Sequence, residues 1–410
     1  MKRIKLINIL SALALFILAF QLNAKAVERA LPIKNTLSLQ TINFFKSKYD
    51  LVTLANTDDE VEKKAIHFSQ KLAQTATPRF TNKGYSSVSD EYWFEVTGAQ
   101  LKKGIAVSIS EPGALIRLSG KSGTDKGLVS QNTIDPNSVQ LFKNNKKLTS
   151  AFSQKVTAQQ LATANIFPNS SALKLDSRLG TGNFILKVDQ NITERQRFLV
   201  NVKEKNARHK LNLSIKKQSY LLGQDIYFSS AIKGKNQFAL KAKQKASIKL
   251  PSGKMVPVTF AKKGKHFKVQ LPEVDSSTKR GQLYELYIEA STVVNNIQVK
   301  RNAKVAFAVS APTAKLHGKL VHKSNGANLN LEVASEGRYE LSGLIYGMNN
   351  QGRHVPFMMS RSAYFLPPGN HKLLLHYDKK IIKSSGLKPP YLVKNLQLVD
   401  QSRLALLQQF

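Results

Sequence analysis

From about Tyr85 onward the apolar residues recur at every second position, a period that fits half-buried β-strands and rules out long amphipathic helices. Trp93 and Phe94 open the first such run, and Ile105-Val107-Ile109, Leu115 to Leu118, Phe184-Leu186-Val188 and Phe198-Val200-Val202 continue it. Between them Val156, Thr157, Gln160 and Leu161 match a capping box with its hydrophobic staple, so the spacing predicts one short helix among the strands.

The most regular stretch is Ala207 to Ser310, with strands expected at Leu211-Leu213-Ile215, Ile226-Phe228, Ile248-Leu250, Val256-Val258-Phe260, Phe267-Val269-Leu271, Tyr284-Leu286-Ile288 and Ile297 to Val309. Pro251 to Lys254, Lys263-Gly264-Lys265 and Asn295-Asn296 supply the turns. Seven strands at this spacing imply an immunoglobulin-like sandwich, with Tyr284 or Tyr287 placed to serve as its corner tyrosine. Along the last strand Val299, Ala303, Val305, Phe307 and Val309 share a face that only Arg301 interrupts. Ala311-Pro312-Thr313 ends that module, and a third alternating region follows to the C-terminus. Within it, Gly369 to Asp400 reads as strand, turn, strand, a sandwich hairpin.

The N-terminal part is different. Lys2, Arg3 and Lys5 precede an apolar run from Ile7 to Phe20 that ends near Ala24-Lys25-Ala26, the pattern of a cleaved secretory signal peptide too short to span a bilayer. With no cysteine in the chain, lipidation behind the signal and disulfide staples are both excluded, so each sandwich must be held by its own core. Thr57 and Glu60 form a second capping-box pattern, and Val61, Ala65, Phe68 and Leu72 recur at helical spacing, which predicts a helix ending before Pro78. The expected organisation is a signal peptide at 1–26 and an N-terminal domain at 27–206, with a helical lead-in and a sandwich. Two immunoglobulin-like sandwiches follow at 207–310 and 311–410. The fold class is mainly β: three consecutive sandwiches, the first with added short helices.

The formal charge is +36, of which Lys2, Arg3, Lys5 and Lys25 belong to the leader, leaving +32 on the remainder. Such a surface attracts polyanions and also keeps strand edges from pairing with neighbours. Three basic runs stand out: Lys203 to Lys210, Lys241 to Lys245 and Lys262 to Lys268. They are expected to converge on one face of the middle domain, with Lys262, Lys263, Lys265, His266 and Lys268 as polyanion contacts. Lysine far outnumbers arginine and no nucleic-acid-binding motif accompanies the runs. The partner expected is therefore acidic polysaccharide, lipid headgroups or another envelope protein rather than a specific base sequence.

Several groups of residues resemble a family of secreted bacterial proteins known only as a domain of unknown function and built from consecutive Ig-like domains. They are Leu283-Tyr-Glu-Leu, Arg301 with Val305-Ala-Phe-Ala-Val, Ala311-Pro-Thr-Ala, Gly337-Arg-Tyr-Glu, Leu344-Ile-Tyr-Gly, Leu366-Pro-Pro-Gly, Ser385-Gly-Leu-Lys-Pro-Pro-Tyr and Leu396 to Leu407. The resemblance implies a fold and a life outside the cytoplasm, and it implies no activity.

Patterns that carry chemistry are poorly formed. His317 and His322, like His371 and His376, are five residues apart and on a strand point to opposite faces, so neither pair is set to share a metal. There is no Gly-x-Ser-x-Gly elbow. Three Ser-x-x-Lys matches, at Ser171, Ser214 and Ser385, lack the accompanying elements. The Gly120 to Gly127 run lacks the order of a phosphate-binding loop. Neither catalytic residues, a metal site nor a cofactor are therefore assigned. One tryptophan, short strands and dense lysine also argue against an outer-membrane barrel, although the chain ends in Phe410. The expectation is an exported, non-enzymatic binding or scaffold protein of the envelope or extracellular space, with no transmembrane segment after cleavage. The alternative is a secreted hydrolase whose site lies in the N-terminal domain.

Overall fold

Alternation along the strand Asp225–Lys233 shows how the cores are built: Ile226, Phe228 and Ile232 are buried without exposure, while Tyr227, Ser229 and Lys233 alternate with them towards water. Full burial of a side chain such as Phe228 stabilises the fold by about 1.5–3 kcal/mol. The structure, a computed structural model, describes residues 50–55, 61–78, 84–121, 133–167, 169–263, 266–270 and 282–410. The expected signal peptide, the Thr57–Glu60 capping box, most of the Gly120 to Gly127 loop and Lys265 lie outside these residues.

Among the described residues the protein is mainly β, and its strands pair into two facing sheets for each of three hydrophobic cores. The first sandwich sets Glu91–Thr97, Arg197–Lys203, Leu115–Gly120, Ser170–Leu175 and Phe152–Val156 against Ile105–Ile109, Gly182–Val188, Val139–Lys143 and Lys146–Lys147. Its predicted helix is present at Ala158–Thr163, with the Thr157 hydroxyl accepting from Gln160 N and the Gln160 side chain closing the box. A second capping box, at Thr97 and Gln100, starts the helix Gly98–Lys103.

The middle sandwich pairs Ala261–Lys263, His266–Gln270, Asp225–Lys233, Lys210–Ile215 and Ser86–Ser89 in one sheet. Ser219–Leu221, Ile297–Ser310, Tyr284–Val294, Lys243–Lys249 and Met255–Val258 form the other. In the third sandwich, Ile66–Lys71, His354–Leu366, Gly337–Met348, Lys388–Asp400 and Ala405–Gln409 face Ala314–Lys323, Gly326–Val333 and Gly369–His376.

One expectation is corrected here. The stretch Gly369 to Asp400 is not a hairpin: Gly369–His376 and Lys388–Asp400 belong to opposite sheets, and the helix Lys379–Ser385 carries the chain across. The Asp378 side chain caps that helix at Ile381 N, and Gly386 ends it at φ 67°, a left-handed conformation that glycine adopts without a steric penalty. Of the two candidate corner tyrosines, Tyr287 donates its hydroxyl to Glu285 instead (2.8 Å). A corner bond of that kind is made in the third sandwich, where the Tyr339 hydroxyl donates to Ser335 O, four residues upstream, at 2.5 Å.

The predicted lead-in helix is also overturned, because Ile66–Lys71 is a strand. It pairs antiparallel with His354–Leu366 at the edge of the third sandwich, Ile66 opposite Ala363 and Lys71 opposite Met358. A ladder to a partner almost three hundred residues away outweighs a helical apolar spacing that no neighbouring surface rewards. The lead-in is tied down before that strand as well: Val52 N donates to Pro312 O (2.9 Å), and Ser335 Oγ donates to Val52 O (2.8 Å). Arg338 Nη1 donates to the carbonyls of Glu62 and Lys64, and Arg403 Nη2 donates to Ala55 O (3.3 Å). Asp400, fully buried, accepts from Thr313 Oγ1 (2.7 Å) and Arg403 Nη1 (3.0 Å), which fixes Arg403 for this role.

Leaving the third sandwich, the chain adds Ser86–Ser89 to the edge of the middle one, opposite Lys210–Ile215, and only then enters the first. Gly84 permits the approach, since a Cβ there would lie 1.6 Å from Ile215 O.

The joint between the first and middle sandwiches holds the largest fully buried side chain, Arg301. Its Nη2 donates to Glu204 Oε2 (2.6 Å) and Ser110 Oγ (3.0 Å), and its Nε donates to His209 O (2.8 Å). Glu204 also accepts from Ser110 N (2.6 Å) and from the Ser110 hydroxyl. The residue that interrupts an apolar strand face in the sequence is thus the cation that bolts two sandwiches together.

Removing one member of a buried pair leaves the other charge unpaired, so Arg301→Met should cost about 3–5 kcal/mol in denaturant unfolding. Glu204→Met,Arg301→Met together should recover much of that loss. Burial lowers the pKa of His322, whose Nδ1 lies 3.2 Å from the Tyr377 hydroxyl, and burial is likewise the main cause of the lowering at His67 and His209. A histidine whose folded pKa is depressed contributes stability above its ordinary value of 6.5, and that contribution is lost as pH falls through 6.5 towards the folded value. The melting temperature should therefore fall between about pH 8 and about pH 5, and His322→Gln should flatten that profile.

Candidate functional site: a cationic face with two aromatic rings

The outer face of the middle sandwich is written by alternation. Ala246, Ile248, Leu286, Ile288, Ala290, Ala303 and Val305 point into the core, which turns Lys243, Lys245, Lys249, Glu285, Tyr287, Glu289, Lys300 and Lys304 outward. Register sets the rows: Tyr287 lies between Ser247 and Lys304, Ser291 between Lys243 and Lys300, and Glu289 between Lys245 and Asn302.

Glu285 holds this face in order. It accepts from Lys304 Nζ (2.7 Å) and the Tyr287 hydroxyl (2.8 Å), with Lys249 Nζ at 3.7 Å. Burial alone would raise the Glu285 pKa, but the hydrogen bonds from Lys304 and Tyr287 outweigh it and the net shift is downward. Burial, reinforced by the neighbouring carboxylate, raises the Tyr287 phenol. Lys304 Nζ also lies over the Tyr287 ring, 5.6 Å from its centroid.

The only tryptophan of the chain completes the face from the other sandwich. Trp93 meets Tyr287 edge-on, with ring centroids 6.4 Å apart at 86°. Its carbonyl accepts from Asn302 Nδ2 at 2.7 Å, which docks the first sandwich's edge strand on the middle one. The result is a sheet face that carries five lysines and two carboxylates, with a pair of half-buried rings at its border. Ammonium groups can pair with carboxylate, sulfate or phosphate, and ring surfaces can cover the apolar face of a sugar.

The basic runs do not come together as expected. Lys243 and Lys245 lie on this sheet, but Ala261–Lys263 and His266–Gln270 belong to the opposite one. Lys268 is paired with Asp225 there (2.9 Å), Lys265 lies outside the described residues, and so do the side chains of Lys262, Lys263 and His266. In the Lys203 to Lys210 run Lys203 is engaged by Asp90 (3.1 Å) and Arg208 by Glu111 (2.9 Å).

Among the described residues no three histidine or acidic side chains gather as a metal site, and no helix is long and apolar enough to cross a membrane. Ser171 and Lys174 lie on one strand, the serine buried and the lysine exposed, on opposite faces. The missed residues, Tyr287, Lys300, Lys304 and Trp93, carry no run-like signal; the every-second-residue pattern at Glu285-Tyr287-Glu289 was the available clue.

Fold and face define a multi-sandwich, Ig-like β-protein with an open surface. The N-terminal domain of DUF4785, a domain of unknown function, matches residues 57–204, and its C-terminal domain matches residues 313–410. Together these cover more than half of the sequence, and the chain belongs to the DUF4785 family. The crystal structure of a DUF4785 family protein from Legionella pneumophila is similar over 88% of this chain and 97% of that chain, with a TM-score of 0.67 and 19% identity. Trypsin-activated alpha-2-macroglobulin from Escherichia coli matches 72% of this chain and 21% of its own length, with a TM-score of 0.20 and 12% identity. No curated protein matches the chain.

Asn302→Ala removes the donor to Trp93 O and should cost about 1–2 kcal/mol, because a part-buried carbonyl loses its partner. Loosening of the joint should be read directly as a red shift of the single tryptophan's emission.

Proposed function

We propose that this is an exported, non-enzymatic binding or scaffold protein of the bacterial envelope or extracellular space, and that it contacts acidic polysaccharide through the outer face of its middle sandwich. The leader at 1–26 supports export. The single observation that carries the binding reading is that Lys243, Lys245, Lys249, Lys300 and Lys304 share one sheet face with Tyr287, which Trp93 meets edge-on. Charge bookkeeping adds support: with 62 lysines and arginines against 26 acidic residues, pairing every carboxylate would still leave an excess of cations. Several carboxylates on the described surface are committed to cations outside this face, among them Asp90, Glu111 and Asp225.

Titration with polygalacturonate or heparin should change Trp93 emission saturably, and the affinity should fall by about tenfold or more between ~50 and ~200 mM salt. Lys300→Ala,Lys304→Ala should weaken binding by about tenfold at low salt, whereas Lys268→Ala on the opposite sheet should not. A response to phosphatidylglycerol vesicles with none to either polysaccharide would transfer the reading to lipid headgroups. No salt-sensitive response to any of the three would refute it.

A further inference from the structure

The third sandwich carries a second feature, on another surface and independent of the cationic face. Among the described residues its lead-in strand Ile66–Lys71 is the end strand of its sheet and pairs with His354–Leu366 along one side only. Alternate backbone N–H and C=O groups of such a strand point away from the sheet and are open to a further strand. Natural edges are blunted, and other edges of this molecule show it: Lys146–Lys147 is two residues long and both are lysine, and Met255–Val258 contains Pro257. Ile66–Lys71 contains no proline, and it leaves Ile66 49% and Phe68 53% exposed.

Those two side chains share a face with Ala363 and Arg361 on the neighbouring strand and with Arg338 and Glu340 on the next, in the register Ile66–Ala363–Glu340. Together they line an open groove of about 300 Å³. Its floor is apolar and its rim is cationic. The Arg338 guanidinium donates to the carbonyls of Glu62 and Lys64 and to Gln401, all neutral acceptors, so none of these bonds cancels its charge. Arg361 is half exposed and stands 3.9 Å from Glu340, and Lys63 Nζ lies 5.5 Å from the centre of the nearby Phe365 ring. The exposed cations at this edge are thus Arg361 and Lys63, and the buried Arg338 adds its uncancelled charge from behind them.

We propose that this edge and groove dock an extended segment of another protein in which acidic and apolar side chains alternate. The segment adds to Ile66–Lys71 as a further strand. Its main chain supplies the ladder, its apolar side chains cover Ile66 and Phe68, and its carboxylates meet the exposed Arg361 and Lys63. Charge selects this occupant over a second copy of the chain, because two copies each carrying +32 without the leader would bring two cationic rims together. A free strand edge selects a peptide over a lipid, which has no backbone to pair with it.

The test uses the full chain and a fluorescein-labelled acetyl-(Glu-Ile)4-amide peptide, followed by fluorescence anisotropy. Two control peptides accompany it: a block scramble of the same composition, and the same alternating peptide N-methylated at every second residue. The alternating peptide should bind saturably, and both controls should bind about tenfold more weakly or worse. Arg361→Glu, a change at an exposed side chain, should weaken the alternating peptide by about tenfold while leaving polygalacturonate binding intact, which separates this site from the cationic face. Equal binding of all three peptides, or no saturation up to ~1 mM, would overturn the proposal. Concentration-dependent dimerisation abolished by Arg361→Glu would replace the peptide with a second copy. Loss of phosphatidylglycerol-vesicle binding in that variant, without any peptide binding, would replace it with a lipid surface.

Discussion

The ion pair between Arg301 and Glu204 sets the geometry of the upper half of this protein. Burying two charges is unfavourable unless both are fully hydrogen-bonded, and replacing such a pair by apolar residues is often neutral or better for stability. Here Ser110, His209 O and Lys300 O complete the guanidinium's bonds, and Ser110 completes those of the carboxylate. What the pair confers is direction: a guanidinium has one set of angles at which its donors are satisfied, and an apolar joint has many. Trp93 and Tyr287, from different sandwiches, meet edge-on because that joint has one setting.

Threading strengthens the same theme. The chain does not lay down its sandwiches one after another from the N-terminus. Residues 50–55 and 61–78 run along the third sandwich, 84–89 along the middle one, and the first sandwich follows. Each lead-in strand fills an edge whose other strands lie more than a hundred residues away, so the edges remain open until most of the chain has been made. The motif residues Arg338, Asp400 and Arg403, which carried the family resemblance, form the clamp that holds the lead-in. With no disulfide available, these long-range bonds do the work of staples.

Alternation made most strands legible, because a half-buried strand prints its period directly on the sequence, as at Ile226-Phe228 and Phe198-Val200-Val202. The Thr157–Gln160 box was legible for the same reason: its partners are three residues apart. The lead-in strand was not, because Val61, Ala65, Phe68 and Leu72 suit a helix and the deciding ladder comes from His354–Leu366. Gly369 to Asp400 looked like a hairpin because sequence proximity does not reveal that two strands lie in different sheets. No contiguous run of lysines marks the cationic face, where the charges sit on alternate-facing positions of three strands and one ring comes from Trp93. Arg301 stood out as an exception in an apolar row and as a residue of the family resemblance, but its partners Ser110 and Glu204 lie far away in the chain.

The central structural claim is that the sandwiches form one bolted body. Scanning calorimetry of the intact chain beside the Glu204→Met,Arg301→Met variant tests it most directly, since that variant keeps the joint apolar and removes only the directional pair. The account predicts one dominant transition for the native chain and a separate transition of the first sandwich in the variant. A native chain that already melts in three independent steps, or a variant whose transitions coincide with the native ones, would contradict it.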